Sequence, residues 1–182
     1  MIAIRFRAAA LCLGFASLVP HQAAYAQASA EACIAQADVS DGVIYALPLL
    51  MAAVRGKCDG ALSSTGFMAT GADAFIAPFA QRQTASWPGA MRMLSQFGGK
   101  GGAEADEMMA MFQTLPPETV RPLFDAVIEQ KVAEEIKVGD CAKIERGVEL
   151  LSPLPPENVG GLITFLLDVA KVDNPKVCPA AK

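Results

Sequence analysis

The feature that most constrains this chain is a tetrapeptide that occurs twice, as Leu115–Glu118 and, 39 positions later, as Leu154–Glu157. Both copies read Leu-Pro-Pro-Glu. Proline pre-sets the backbone for a first helical turn, and a glutamate there is favoured by the positive end of the helix dipole. Apolar residues then recur at helical spacing, as Val120, Leu123, Phe124, Val127 and Ile128 after the first copy and as Val159, Leu162, Ile163, Leu166 and Leu167 after the second.

Apolar pairs precede both copies, at Met111-Phe112 and Leu150-Leu151. Each unit is therefore predicted to be a helix, a sharp proline turn and a second helix. Such an αα-hairpin cannot bury its apolar face alone and requires a stacked neighbour. Leu123 and Leu162 are expected to be comparably buried, because they hold the same position in the two units.

The composition extends the helical prediction to the whole chain. Strong helix formers are plentiful and alternating β-branched runs are nearly absent. In the first half we expect helices over 29–37, 42–55, 72–81 and 86–97, with Ser29, Asp41 and Ser86 as caps and Pro48 kinking or splitting the second. The predicted fold is an all-α bundle of about six or seven helices built from αα-hairpins and stapled by two disulfides.

A glycine-rich segment, Gly98–Gly102, divides the predicted helices. It is expected to be a flexible linker between an N-terminal helical part, 27–97, and the C-terminal hairpin repeat, 103–182, within one compact domain. Lys100 in this segment is followed by glycine and preceded by a predicted helix. A phosphate-binding P-loop needs a serine or threonine after the lysine and a strand before the loop, so a linker is favoured.

The first 26 residues have the pattern of a secretory signal peptide. Arg5 and Arg7 form a basic start, a 12-residue apolar run from Ala8 to Val19 follows, and Ala24-Tyr25-Ala26 provides an A-x-A cleavage site. Such a run is too short to span a bilayer as a helix. We expect cleavage after Ala26, with Ala28 as the alternative, and a periplasmic location without a transmembrane segment.

Removal of these residues would leave 156 residues with 13 basic and 19 acidic side chains, and no histidine, since His21 is the only one. The absence of histidine excludes a Ser-His-Asp triad, a Cys-His pair and imidazole metal ligands. A net charge of −6 without a basic cluster argues against nucleic acid or an anionic membrane surface as a partner.

Four cysteines remain, namely Cys33, Cys58, Cys141 and Cys178. An even number in an exported chain predicts a disulfide framework, and no C-x-x-C motif is present. We expect each disulfide to close one hairpin, as Cys33–Cys58 and Cys141–Cys178. The nested pairing, Cys33–Cys178 with Cys58–Cys141, is the alternative.

Methionine offers one candidate for metal binding. Two M-x-M pairs occur, Met91 with Met93 and Met109 with Met111, and thioethers suit Cu(I). Residues two apart on a helix point to different sides, however, and methionine commonly fills core gaps. A copper carrier is therefore an alternative, and no cofactor is expected.

The sequence does not indicate a catalytic site. The cluster Glu129, Glu134, Glu135 and Asp140 is interleaved with lysines, as on a solvated, salt-bridged face. No G-x-S-x-G or S-x-x-K motif supports a histidine-free hydrolase, which stays a third and weaker alternative. Trp87, the single tryptophan, is interpreted as a core or hairpin anchor.

One segment, Val43–Val54, is apolar on all sides of a helix. It is either a buried central helix, which we favour, or the wall of a groove for an apolar ligand or a partner's helix. Together these observations predict an exported, non-catalytic helical protein that binds an unidentified protein or apolar ligand.

Overall fold

A single long helix, α1 (Gln36–Cys58), forms the centre of the molecule. The structure is a computed structural model that describes residues 33–98, 107, 110–112, 114–172 and 176–179. The other elements are α2 (Phe67–Thr70), α3 (Ala72–Ala80), α4 (Gln83–Gly98), α5 (Pro117–Glu135), a 3-10 turn (Val138–Asp140), α6 (Cys141–Leu151), α7 (Pro156–Val169), β1 (Cys33–Ile34) and β2 (Lys176–Val177). The predicted all-α bundle is confirmed.

The core forms where α3, α4, α5 and α7 pack around α1. Within Val43–Val54, the large side chains of Ile44, Tyr45, Leu47, Leu49 and Met51 are all buried. The interpretation of this segment as a buried central helix is therefore correct. Length and apolar composition alone would also let α1 cross a membrane, but here its apolar side chains are the core of the bundle.

The prediction of two separate helices before Arg55 is wrong. Residues 33–34 form strand β1, and α1 then continues without interruption through Asp41 and Pro48. The Asp-Val-Ser-Asp-Gly segment contains side chains of the kind that cap helices. Here, however, these side chains contact other helices instead of capping a new one. Asp38 pairs with Arg92 of α4, and the side chain of Asp41 lies against Gly89. These tertiary contacts override the local cap signal.

The predicted disulfide pairing is also wrong, and the nested alternative is correct. Cys33 is bonded to Cys178, and Cys58 is bonded to Cys141. Cys33 and Cys58 flank the two ends of a helix of 23 residues, which spans roughly 35 Å, whereas bonded cysteines have Cα atoms within about 7 Å. A hairpin-closing bond is therefore impossible once α1 is continuous.

The two ends of the described chain meet in a short parallel sheet. Cys33 pairs with Lys176 and Ile34 with Val177, and the main-chain N–H of Cys178 donates to the carbonyl of Ile34 at 2.9 Å. Ile34, Val39 and Val177 form a small buried cluster beneath these strands, with Met93 and Leu167 packed against it. The Cys33–Cys178 disulfide therefore links the two chain segments that contribute Ile34 and Val177 to this hydrophobic cluster.

The tetrapeptide repeat begins a helix at both sites. Pro117 and Pro156 are the first residues of α5 and α7, and Val120 and Val159 are equivalent and fully buried. Burial also agrees at the later positions, where Val127 and Leu166 are both exposed, but it differs at the first leucine of each unit. Leu162 is half-buried, whereas Leu123 is 59% exposed, so the predicted equal burial of these leucines is wrong. Both helices pack chiefly on α1, but at different places along it. Different neighbouring residues therefore bury the side chains of each helix.

Candidate functional site

The first of the two M-x-M pairs does not form a metal site. Met91 packs in the cluster that contains Tyr45, Trp87 and Val120, whereas Met93 packs against Gly42 beneath the β1–β2 sheet. These two thioethers therefore cannot share one ion in this structure. Met111 is exposed, and Met109 lies outside the described residues. No group of three or more His, Cys, Asp or Glu side chains within the described ranges is arranged to hold a metal.

The acidic cluster at the end of α5 is an ion-paired surface. Glu134 accepts from Lys131 at 3.0 Å, and this hydrogen bond lowers the pKa of the Glu134 carboxyl. Asp140 pairs with Lys143 at 3.1 Å. The predicted salt-bridged face accounts for these two carboxylates. Of the glycine-rich linker, Gly98 is the last residue of α4, and 99–102 lie outside the described residues.

Trp87 is a core residue, as interpreted from the sequence. Its ring lies 5.1 Å from that of Tyr45 and 5.6 Å from that of Phe124, and the guanidinium of Arg121 stands over the Tyr45 and Trp87 rings. The Tyr45 hydroxyl donates to Asp125. This cluster joins α1, α4 and α5. An apolar cavity of about 240 Å³ adjoins it and is lined by Trp87, Met91, Phe112, Leu115, Pro117 and Val120.

The most informative surface feature is a groove over the first turns of α1. Two cavities make it up, and Ala37 and Ser40 line both of them. The first, the α1–α7 cavity, measures about 370 Å³ and is lined by Gln36, Ala37, Ser40, Gly161, Thr164, Phe165 and Asp168. The second, the α1–α4 cavity, measures about 360 Å³ and is lined by Ala37, Ser40, Asp41, Ile44, Arg82, Ala85, Ser86 and Glu157.

Small residues on α1 and α7 create this groove. Gly160 allows α7 to contact Ser40 of α1 directly, and Ala37 and Gly161 add little bulk beside that contact. An ion pair between Arg82 and Glu157 connects the start of α4 with the start of α7 across the α1–α4 cavity. The groove thus lies where α4 and α7 pack on α1.

The outer side of α7 carries apolar side chains beside the groove. Phe165 and Val169 are each 60% exposed, Leu166 is 49% exposed, and Leu162 is half-buried. Spacings of three and four residues place these four side chains on one side of the helix. We call them the α7 face. Phe165 belongs both to the α7 face and to the lining of the α1–α7 cavity.

The groove combines an aromatic ring with an excess of carboxylates. Thr164 donates its hydroxyl proton to the carbonyl of Gly160 at 2.8 Å. The carboxylates of Asp41, Glu157 and Asp168 outnumber the single cation, Arg82. A groove with an exposed aromatic ring and excess negative charge suits an apolar, positively charged occupant.

Sequence reasoning missed Phe165 and the groove. The signal that would have found the ring is the width of the apolar surface after the second copy, because Phe165 and Val169 extend it past Leu162 and Leu166 on the side away from Val159. An apolar surface of this width cannot face α1 along all of its breadth, so one side of it is left uncovered unless a further element packs there. The equivalent of Phe165 in the first unit is Ala126, which marks the ring as a feature of the second unit alone.

Comparison of this chain with protein-family models, with curated proteins and with solved structures gives no match.

Proposed function

We propose that this protein is an exported, non-catalytic binding protein that docks a partner protein on the α7 face. The observation that carries the proposal is the exposure of Phe165, Leu166 and Val169 side by side on one rigid helix. Single exposed apolar residues are normal on protein surfaces, but contiguous ones mark interaction sites. Aromatic side chains are also the most frequent anchors of such interfaces.

Export is supported by the signal-like pattern of residues 1–26 and by the two disulfides, since disulfides persist in oxidising compartments. We propose the periplasm as the location. The same disulfides support a docking role, because they fix the ends of α1 to the start of α6 and to the C-terminal strand. A surface that changes little on binding loses little conformational entropy.

A protein partner is favoured over a small apolar ligand by the shape of the surface. Small-molecule sites are concave and enclose most of the ligand. The α7 face is instead the outer side of a helix, with the groove alongside. Such a surface fits an amphipathic helix of a partner, whose apolar stripe can cover several side chains at once.

A photo-crosslinking experiment tests the proposal. The phenylalanine analogue p-benzoylphenylalanine is placed at Phe165 in the exported protein, and irradiation is performed in intact cells. We expect one discrete adduct with a different protein. The matched control is the same analogue at Leu150, an apolar residue on α6 that is 61% exposed, and we expect no such adduct there.

A second substitution makes this result specific. Leu166→Asp in the chain that carries the analogue at position 165 should abolish the adduct and leave the helical circular dichroism unchanged. Equal adducts from positions 165 and 150, an adduct of twice the mass of this chain, or no adduct at position 165 would each contradict the proposal.

A further inference from the structure

We propose that the α1–α7 cavity binds the guanidinium group of an arginine side chain in the partner protein. This inference rests on the docking role proposed above and specifies what enters the groove beside the α7 face. It starts from the side chains that line the cavity, which include one carboxylate, one aromatic ring and no lysine or arginine.

The carboxylate of Asp168 is available for an external cation. It is exposed, and within the described ranges it has no ion-pair partner. Lys171, three residues later, has the spacing of a helical ion pair. Its backbone adopts a left-handed conformation with a φ of 50° where the helix ends, however, and it forms no ion pair with Asp168.

The other polar side chains of the cavity, Gln36, Ser40 and Thr164, each carry an oxygen that can accept a hydrogen bond. The Gln36 side-chain amide donates one of its two N–H groups to the carbonyl of Cys178 at 3.2 Å, and its amide oxygen can accept. The Thr164 hydroxyl donates to Gly160, so its oxygen can accept only. Together with the Asp168 carboxylate, these oxygens offer several acceptors to a ligand that is rich in donors.

Guanidinium is such a ligand. It carries five N–H donors and no acceptor, and its flat face stacks on aromatic rings. Phe165 and Asp168 lie three residues apart on the same side of α7, so one guanidinium can lie over the ring and donate to the carboxylate. An ammonium lacks the planar face and cannot stack on Phe165 in this way.

The neighbouring apolar surface indicates that the arginine belongs to a protein. Leu166 and Val169 continue from Phe165 outside the cavity, and a free guanidinium compound would leave them uncovered. An arginine on an amphipathic partner helix would place its guanidinium in the cavity while the apolar residues of that helix cover the α7 face. The negative charge of the groove favours the same partner.

The test is a titration of the isotope-labelled exported chain, followed by two-dimensional NMR. The probes are N-acetyl-leucyl-arginine amide and its citrulline counterpart, which has the same shape but no charge. We expect the arginine probe to shift the amide signals of Gln36, Thr164, Phe165 and Asp168, and to bind about tenfold more tightly than the citrulline probe. A higher salt concentration should weaken binding of the arginine probe but not binding of the citrulline probe.

Variants of the same chain assign the effect. Asp168→Asn and Phe165→Leu should each lower the affinity for the arginine probe by about fivefold. Glu118→Gln, which neutralises an exposed carboxylate at the start of α5, should leave the affinity for the arginine probe unchanged. Equal binding of the two probes, shifts that map to other helices, or full binding by Asp168→Asn would overturn the inference.

The titration and the crosslinking experiment can fail independently of each other. If the adduct at position 165 forms and the arginine probe does not bind in the cavity, the docking role stands and the arginine occupant is refuted. If N-acetyl-arginine amide binds as tightly as the leucyl probe and no adduct forms, the site takes a free cation and the protein source is refuted.

Discussion

Gly160 on α7 lies directly against Ser40 on α1, and a Cβ atom at position 160 would stand 3.1 Å from the Ser40 carbonyl oxygen and closer still to its hydroxyl. The neighbouring Gly161 has no atom of another residue within 4 Å of the same point. The closeness of α1 and α7, and with it the shape of the groove, therefore depends on one of two adjacent glycines.

This contrast predicts opposite effects for two similar substitutions. Gly160→Ala should lower the free energy of unfolding by about 1–3 kcal/mol, because the added methyl group must push α7 away from the α1 backbone. Gly161→Ala should raise it by up to about 1 kcal/mol through helix propensity. Urea denaturation measures both, and equal effects of the two substitutions would show that the close contact is absent.

The Tyr45–Asp125 hydrogen bond predicts a response to alkaline pH. Burial raises the pKa of the Tyr45 phenol above its ordinary value near 10, and the hydrogen bond to Asp125 raises it further. The folded state therefore holds the Tyr45 proton more tightly than the unfolded state does. The stabilisation that results is fully present below about pH 10 and is lost as the pH rises above that value.

Stability should therefore fall more steeply above pH 10 in the parent chain than in Tyr45→Phe. A chain that begins at Gln27 contains one tyrosine, so ultraviolet absorbance at alkaline pH reports Tyr45 alone. Titration of this phenol with an ordinary pKa in the folded protein would contradict the structure. At neutral pH, Tyr45→Phe should cost about 1–2 kcal/mol through the lost hydrogen bond.

The repeat predicts equal effects at its first apolar position and unequal effects at the next. Val120→Ala and Val159→Ala should each lower the free energy of unfolding by about 2 kcal/mol, because both side chains are fully buried. Leu123→Ala should change it by less than about 0.5 kcal/mol. Thermal unfolding of the three variants makes the comparison, and a large loss at Leu123 would place that side chain in the core.

The two disulfides should differ in their reaction with a thiol reductant. Cys58 and Cys141 are fully buried, whereas Cys33 and Cys178 are half-buried. Under native conditions dithiothreitol should therefore open Cys33–Cys178 first, and alkylation followed by peptide mapping would identify the freed thiols. Simultaneous opening of both bonds would contradict the burial difference. Loss of either bond should cost about 4–5 kcal/mol in the loop-closure account.

The sequence by itself determined the helical class, the number of disulfides and both proline helix starts. These features depend on local chemistry and composition, namely the helix propensity of the side chains, the fixed φ of Pro117 and Pro156, and the even number of cysteines after residue 26. The burial of Val43–Val54 also followed from the sequence, because a segment that is apolar on all sides needs cover on all sides.

Only the tertiary structure decided the cysteine partners, the continuity of α1 and the exposure of the α7 face. The Asp38–Gly42 segment has the local signals of a helix start, but contacts with Arg92, Met93 and Gly89 on α4 hold it within one helix. That long helix separates Cys33 from Cys58. Likewise, Val159 and Phe165 lie on opposite sides of one wide apolar surface of a helix, and their sequence spacing does not reveal which side meets α1. Burial depends on which elements pack together in three dimensions, and local periodicity carries no information about that choice.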